Sequence, residues 1–587
     1  MGDAPRVIVV GGGLAGLMTT VRLAEAGMPV DLFSVVPVKR SHSVCAQGGI
    51  NAAVNWKGEG DSPARHFDDT VYGGDFLANQ PPVKAMCEAG PGIIFLLDRM
   101  GVPFNRTPEG LLDFRRFGGT LFHRTAFAGA TTGQQLVYAL DEQVRRHEAA
   151  GLVRKFEGWE LCSLVIDELG RCCGITALDL RRLEIQGFPA SAVMLATGGP
   201  GIVFGKSTNS VVNTGSAAAI AYQQGAFYAN GEFIQVHPTA IPGHDKLRLI
   251  SESIRGEGGR VWVPRDGKPW YFLEEWYPAY GNLVPRDIAT RAIFKVVYEL
   301  GLGVDGQPMV YLDVSHLDAA TLRRRVGGVL EIYEKFMGDD PTKVPMKIFP
   351  GMHYSMGGLW VDYDQQTNVP GLFASGECDY QFHGANRLGA NSLLSCLYSG
   401  EVAGPVMARY AKSAPADGAP LCEEEAKRQA EQYARVTRMD GPENAYVLAR
   451  EMGEWMTANV TVVRYNKKLQ ETDDKLRELK DRWGRIGISD RGRLANHEVS
   501  FVRQLWNMLE LARVITLGAL RRDESRGAHY KPDFPNRDDA NFLKTTKARW
   551  SSDGPGITYE PVDVSLIRPR ARKYDVASAP PPGSSGH

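Results

Sequence analysis

No C-x-x-C pair occurs among the eight cysteines of this 587-residue chain, and that absence removes the usual ligand spacing of iron–sulfur and zinc sites. The cysteines, at 45, 87, 162, 172, 173, 378, 396 and 422, read as small apolar residues of a reduced compartment, and no metal site is expected. Long apolar runs are missing as well: no stretch reaches the ~18 uncharged residues that a membrane span requires. Charge of one sign is also missing. With 67 Lys and Arg against 68 Asp and Glu, the formal net charge is −1, so no global field points to nucleic acid or to an anionic membrane. Met1 to Arg6 run straight into a strand-like segment, and no signal or transit peptide is expected. The expectation is a cytosolic protein, or one held at a membrane by partners. The rest is ordinary soluble composition, 43% hydrophobic and 23% charged. At ~150 residues per domain the length suggests about four units, or fewer large ones.

What is present begins with a nucleotide fingerprint. Val7 to Val10 read as a buried strand, and Gly11, Gly13 and Gly16 follow in G-x-G-x-x-G register with Gly12, Leu14 and Ala15 between them. Leu14 to Ala26 read as a helix ending at Gly27, and Val30 to Phe33 as the returning strand. Such glycines permit a tight turn, a close approach to pyrophosphate and helix-on-strand packing, and the helix N-terminus offers free N–H groups to phosphate. The usual ribose-binding acid is not clear, because Ser34 ends the second strand and Asp31 lies inside it. Lys39-Arg40-Ser41-His42-Ser43 and Gln47-Gly48-Gly49-Ile50-Asn51 then form a loop rich in donors and poor in bulk, suited to a cofactor lying along it.

Further along, 83–100 and 131–148 read as helices, and 162–166 and 174–179 as strands of a small antiparallel sheet. Ala192 to Thr197 read as a buried strand entering Gly198-Gly199, and Leu372 to Ser375 as another entering Gly376-Glu377. Both belong to the first parallel sheet on this reading, with the residues between them forming an inserted cap. After a linker at 413–420 the chain turns helical, at 423–438, 443–456 and 462–483. Val502, Leu505, Trp506 and Leu509 fall at i, i+3, i+4 and i+7, one buried face of a further helix. Residues 577–587 are rich in Pro, Ser and Gly and are expected to be disordered.

Five motifs sit in and around the cap: Gln235-Val-His237-Pro-Thr239, Ser251-Glu252-Ser-Ile-Arg255, Pro285-Arg286-Asp287, His353-Tyr-Ser-Met-Gly-Gly358 and Arg387-Leu-Gly-Ala-Asn391-Ser392-Leu393. Singly, each reads as a turn or a surface pair. Together, behind the glycine fingerprint, they resemble the flavoprotein subunit of succinate dehydrogenase and fumarate reductase, from residue 6 to about 545. The strings Glu524-Ser-Arg-Gly-Ala-His529 and Phe534-Pro-Asn-Arg-Asp-Asp539 resemble that family's C-terminal domain.

The resemblance implies an α/β fold. It has a Rossmann-like FAD-binding domain (1–232 and 351–412), an inserted α+β capping domain (233–350), a helical domain (421–520) and a short C-terminal domain (521–576). It implies FAD bound by Gly11–Gly16, Ser34, Lys39, Ser41, Ser43, Gln47, Gly48, Gly49, Thr197, Gly198, Ser216, Glu377, Arg387, Asn391, Ser392 and Leu393, and attached covalently through His42. It assigns one substrate carboxylate to His353 and Arg387 and the other to His237 and Ser251, with Phe117 against the carbon backbone. A dianion needs fixed cations, and an arginine fork matches a carboxylate plane where lysine does not. Arg286 is the implied proton donor, relayed by Glu252 and Arg255, although a guanidinium ordinarily keeps its proton to about pH 12. Ser251 stands where threonine is usual and Ser216 where aspartate is.

Without cluster ligands of its own, such a subunit needs an iron–sulfur partner and a membrane cytochrome b or quinone-binding partner, on the cytoplasmic side of a bacterial membrane. L-aspartate oxidase shares the fold and most of these motifs but lacks the attachment histidine. Adenylylsulfate reductase, soluble fumarate reductases with haem domains and a non-enzymatic flavin-binding subunit are the other readings.

Overall fold

The computed structural model describes residues 6–574 apart from 242, 244, 245 and 416; the tail at 577–587 lies outside them. Its organising element is a five-stranded parallel sheet built from Val7–Val10 (β1), Val30–Ser34 (β2), Val153–Glu157 (β3), Ala192–Leu195 (β4) and Leu372–Ala374 (β5), in spatial order β5-β4-β1-β2-β3. β1 and β4 are buried at every residue, as strands covered on both faces must be. Periodicity predicts four of these strands and misses β3. As an edge strand it carries Arg154, Lys155 and Glu157, and that polarity hides it. Asp31, the acid inside β2, is held by Arg154 at 2.6 and 2.7 Å and by Arg6 at 3.1 Å, a structural ion pair rather than a ribose contact.

The strand order reverses between β1 and β4, and a ligand crevice opens at the carboxyl ends of the strands where such a reversal occurs. Gly11 to Gly13 leave β1 there, and Thr197-Gly198 leave β4. Helix α1 (Leu14–Glu25) starts directly after the glycines, with Gly13 as an N-cap that offers no side chain. A Cβ on Gly16 would stand 1.9 Å from the Gly11 carbonyl oxygen, so only glycine lets the helix begin this close to the turn.

Between β4 and β5 the chain builds a separate six-stranded antiparallel sheet. Its longest strands, Ile234–Ile241 and Met346–Ser355, are neighbours, with His237 opposite Gly351 and register shifts on both sides of Val236 and His237. Gly351, Met352, Tyr354 and Ser355 remain paired, so the boundary read at 350 falls inside a continuous strand. Helix α2 (Arg286–Phe294) packs on Ile234–Ile241, with Pro285 as its N-cap and Asp287 in its first turn.

A three-stranded antiparallel sheet, Trp159–Ile166, Cys172–Asp179 and Glu184–Pro189, contains the two predicted strands and a polar third one. The helices Ala419–Thr437, Ala445–Val460, Asn466–Trp483 and His497–Arg521 follow. The third starts at 466 rather than 462. Thr461 leaves helical geometry, and the fully buried Arg464 donates to the Val460 carbonyl at 3.2 Å. Strands Lys544–Arg549 and Gly556–Pro561 extend a sheet begun by Tyr228–Ala229 and Gly358–Leu359. The Glu524–His529 string is a buried ion-pair cluster: Arg522 meets Glu232 and Glu524 at 2.8 and 2.9 Å, and Arg526 meets Glu524 at 2.8 Å. Among the described residues no helix is long and apolar enough to cross a membrane.

Gly16→Ala is expected to cost about 1–3 kcal/mol through overpacking and to lower the fraction of protein that retains flavin. Visible absorbance against protein, with a thermal melt, reads both.

Candidate active site

A cavity of about 380 Å³ lies where the loops of the parallel sheet meet the cap. One end is walled by His42, Ser43, Gln47, Gly48, Gly49, Glu377, Ser392 and Leu393, the other by Phe117, His237, Ser251, Glu252, Arg286, His353 and Arg387. These side chains come from points more than 300 residues apart, and only the pairing of cap strands over the sheet brings them together.

The first end suits a dinucleotide. The Leu14 N–H meets Ser43 Oγ at 3.2 Å, while the other first-turn N–H groups of α1 have no intrahelical acceptor; they and the helix dipole favour a phosphate. Half-buried His42 accepts the Ser210 N–H on Nδ1 at 3.1 Å. Removal from water, with Lys246 nearby, lowers its pKa to about 4. The ring is therefore neutral, its proton rests on Nε2, and that nitrogen is the one left to act. Burial raises Glu377 to about 7 even though it accepts the Ser355 N–H at 3.0 Å.

At the other end each donor is aimed by a neighbour. His237 accepts the Thr239 N–H on Nδ1 at 3.2 Å, and the Thr239 hydroxyl is spent on the Ile250 carbonyl at 2.6 Å. Burial, then Arg286 and His353, hold the His237 pKa far below the usual imidazole range. The proton consequently sits on Nε2, which is buried and has no partner. His353 lies edge-on to it at 5.0 Å, with Nδ1 2.7 Å from the Thr208 hydroxyl, and burial followed by Arg286 and Arg387 keeps it neutral as well. Ser251 Oγ accepts from the Ser253 N–H and hydroxyl at 3.2 and 2.9 Å, which leaves its own hydrogen free to donate.

The charges are tightly coupled. Glu252 accepts from Arg286 Nε at 3.0 Å and is in contact with Arg255. Burial alone would raise its carboxyl, but Arg286 and Arg255 hold it below the ordinary range. A Cβ on Gly118 would come 2.2 Å from Glu252 Oε1, so glycine there makes room for the carboxylate. Gln235 Oε1 accepts from Arg286 at 2.9 Å, and the same amide donates to the Arg387 carbonyl at 2.7 Å. Arg387 lies 4.2 Å over the Tyr354 ring with its Nε buried and unpartnered; burial, then Arg286, lowers it to about 9. Arg255, Arg286 and Arg387 against the Glu252 carboxylate, with both histidines neutral, leave this buried group of side chains at +2, and Lys246 and Arg248 add cations to the cavity wall. A small dianion is the natural complement.

Some residues read as cofactor contacts are engaged elsewhere. Lys39 turns to Asp141 and Glu142 at 3.5 and 3.7 Å and to the Tyr138 ring, because two carboxylates outbid an exposed loop. The Asn391 amide is consumed by Asn51, His66 and Thr70 at 2.7–3.0 Å. Ser216 accepts from the Thr214 hydroxyl at 3.2 Å, and Thr197 faces the Cys378 thiol at 3.5 Å. Ser34 and Ser41 are buried, and the Ser41 hydroxyl has no hydrogen-bond partner among the described residues. Sequence reasoning passes over Gln235, Thr239, Thr208, Tyr354 and Lys246 as site residues; the first two lie inside a motif already singled out, two residues from His237.

Comparison with known proteins identifies the family. A family model for an FAD binding domain matches residues 6–393, and one for a fumarate reductase flavoprotein C-terminal region matches 449–574. The chain is 68% identical over 574 residues to the succinate dehydrogenase flavoprotein subunit of Bacillus subtilis (strain 168), covering 97% of this chain and 98% of that one. It is 33% identical over 588 residues to the fumarate reductase flavoprotein subunit of Haemophilus influenzae, covering 97% and 96%. Its structure matches a chain of Escherichia coli quinol fumarate reductase with a TM-score of 0.92 at 32% identity, covering 98% and 99%. The chain belongs to the succinate dehydrogenase and fumarate reductase flavoprotein family of FAD-dependent oxidoreductases.

Proposed function

We propose that this chain interconverts succinate and fumarate as the flavoprotein subunit of a membrane-associated succinate:quinone oxidoreductase, with FAD attached through His42. One observation carries the reading: His237, Ser251, Arg286, His353 and Arg387 line a single cavity together with His42. Bound FAD would supply the two-electron chemistry, accepting or giving a hydride at one methylene carbon of the substrate.

The residues supply binding and proton management. The planar Arg387 fork and His353 grip one carboxylate; the Nε2–H of His237 and the Ser251 hydroxyl grip the other. Donors fixed in a dry cavity stabilise charge that grows on a carboxylate as the adjacent C–H bond breaks, and they need no rearrangement at that moment. Phe117, almost fully buried, gives the carbon backbone an apolar wall. Arg286 takes or gives the proton at the second methylene carbon. Its hydrogen bond to Glu252, and the contact of Glu252 with Arg255, give that proton a route outward. Arg255 in turn donates to the Asn282 carbonyl at 2.6 Å, on a half-buried turn.

The lone Nε2 of a neutral His42 supports attachment of flavin at that ring. With no cluster-ligand spacing in the chain, electrons pass to an iron–sulfur subunit and then to a quinone-binding membrane subunit. On this reading the protein sits peripherally, through those partners, on the cytoplasmic face of a bacterial membrane.

Flavin fluorescence should migrate with this chain on a denaturing gel when the protein has matured with its partners, and His42→Ser should abolish the band. A dark band from the unaltered chain would favour an L-aspartate oxidase-like enzyme. Arg286→Lys should lower turnover by about 10²–10⁴-fold, the range of a lost general acid, while dicarboxylate binding by titration stays measurable. Retained turnover would remove Arg286 from proton transfer.

A further inference from the structure

The segment 563–574 has no regular secondary structure, yet it is firmly anchored to the dinucleotide-binding half. Fully buried Gln80 accepts the Leu566 and Ile567 N–H groups at 2.9 and 2.8 Å and donates to the Ile567 carbonyl at 2.8 Å. Asn79 accepts the Asp563 N–H at 2.9 Å, and Arg570 reaches Asp68 at 2.6 Å. The Tyr72 hydroxyl meets the Lys573 backbone. These contacts make the segment a strap.

Arg572 reaches from this strap to the cap. Its two terminal nitrogens donate to Asp287 at 2.8 and 3.0 Å, and the pair is almost dry, with side-chain exposures of 7% and 1%. On the other side Arg572 stands 3.7 Å from Asp75, which is itself fixed by Arg537 at 2.8 Å and by the Gly527 N–H at 2.9 Å. Asp287 immediately follows Arg286 in the first turn of α2. Its remaining cation, Arg291, is more distant at 3.4 Å and 27% exposed. Tyr574 packs edge-on against Tyr280 at 5.1 Å, next to the turn whose Asn282 carbonyl receives Arg255. The strap thus contacts side chains beside both ends of the Arg286–Glu252–Arg255 chain, Asp287 at one and Tyr280 at the other.

We infer that Arg572 is a positioning residue for Arg286, clamping the first turn of α2 to the dinucleotide-binding half through Asp287. The inference rests on the proton-transfer role proposed above for Arg286. A planar fork fixes the plane of the Asp287 carboxylate and hence the rotation of the turn. Without it, the Arg286 guanidinium drifts from Gln235 and Glu252, now 2.9 and 3.0 Å away. His237, His353, Arg387 and Ser251 lie on other elements and keep their grip on the substrate.

The test uses the assembled complex. Arg572→Ala should lower kcat about 100-fold, the loss expected of a misplacement near 1 Å, with KM for the dicarboxylate little changed. Added guanidinium should restore part of the rate and methylammonium should not. Arg572→Lys should remain slow, since an ammonium cannot fork, and it carries the same reading if the alanine variant fails to assemble. Arg570→Met removes a strap ion pair that makes no contact with α2 and should keep the unaltered kcat. Normal kcat in Arg572→Ala, a loss confined to KM, or an equal loss in Arg570→Met would overturn the inference alone. An unaltered complex silent toward succinate and fumarate would overturn the functional reading and the inference with it.

Discussion

The carboxylate of Glu252 lets three buried guanidinium groups lie close together, Arg286 and Arg387 on the cavity wall and Arg255 behind it. Like charges at such range repel strongly where water is excluded, and burial already presses Arg255 and Arg387 toward losing their protons. Glu252, fully buried between Arg255 and Arg286, offsets one charge and leaves two. The site is electrostatically incomplete until a dianion fills it, which gives specificity for the doubly charged ligand over its singly charged relatives. Neutral His237 and His353 add directed hydrogen bonds without further repulsion. Burying the imidazoles costs far less than burying two more cations.

Fold and site are linked through two strands. The parallel sheet creates a crevice where its strand order reverses, and the cap lays Ile234–Ile241 and Met346–Ser355 over that crevice so that His237 and His353 meet at 5.0 Å. α2 leans on the same strand and delivers Arg286 from above. The cofactor residues come from the sheet half, the substrate residues from both halves, with Phe117 and Arg387 outside the cap, and the reaction depends on their relative placement. That dependence explains why so many buried ion pairs, Arg522–Glu232 and Arg572–Asp287 among them, tie distant segments together. A buried pair contributes modestly to stability, yet breaking one partner leaves an uncompensated charge, so each pair penalises any other arrangement of the segments.

The glycine turn, its flanking strands and α1 were legible because local spacing alone determines them. So was the buried face of helix His497–Arg521, where Val502, Leu505 and Leu509 are fully buried and Trp506 is half-buried. The substrate residues were legible only as a set, through family resemblance, since no local property distinguishes His237 from a turn histidine. What escaped the sequence depends on contacts through space. Gln235 and Thr239 orient Arg286 and His237 only once the cap strands pair. The partners that Lys39 and Asn391 find depend on such contacts too, Asp141 for the first and Asn51 and His66 for the second. β3 escaped because an edge strand keeps polar residues. The strap at 563–574 escaped because it has no periodicity, its order coming from Gln80 and Tyr72.

The account stands on a buried group of side chains of charge +2 matched to a dianion. Calorimetric titration of the oxidised complex with fumarate, which it cannot oxidise, and with the half-amide of the same shape, tests this most directly. Exchanging one buried charge-assisted contact for a neutral one should weaken binding by about 100-fold, or near 2.7 kcal/mol. Equal affinity for the two ligands would contradict the account, because a cavity indifferent to the second charge cannot be the one described.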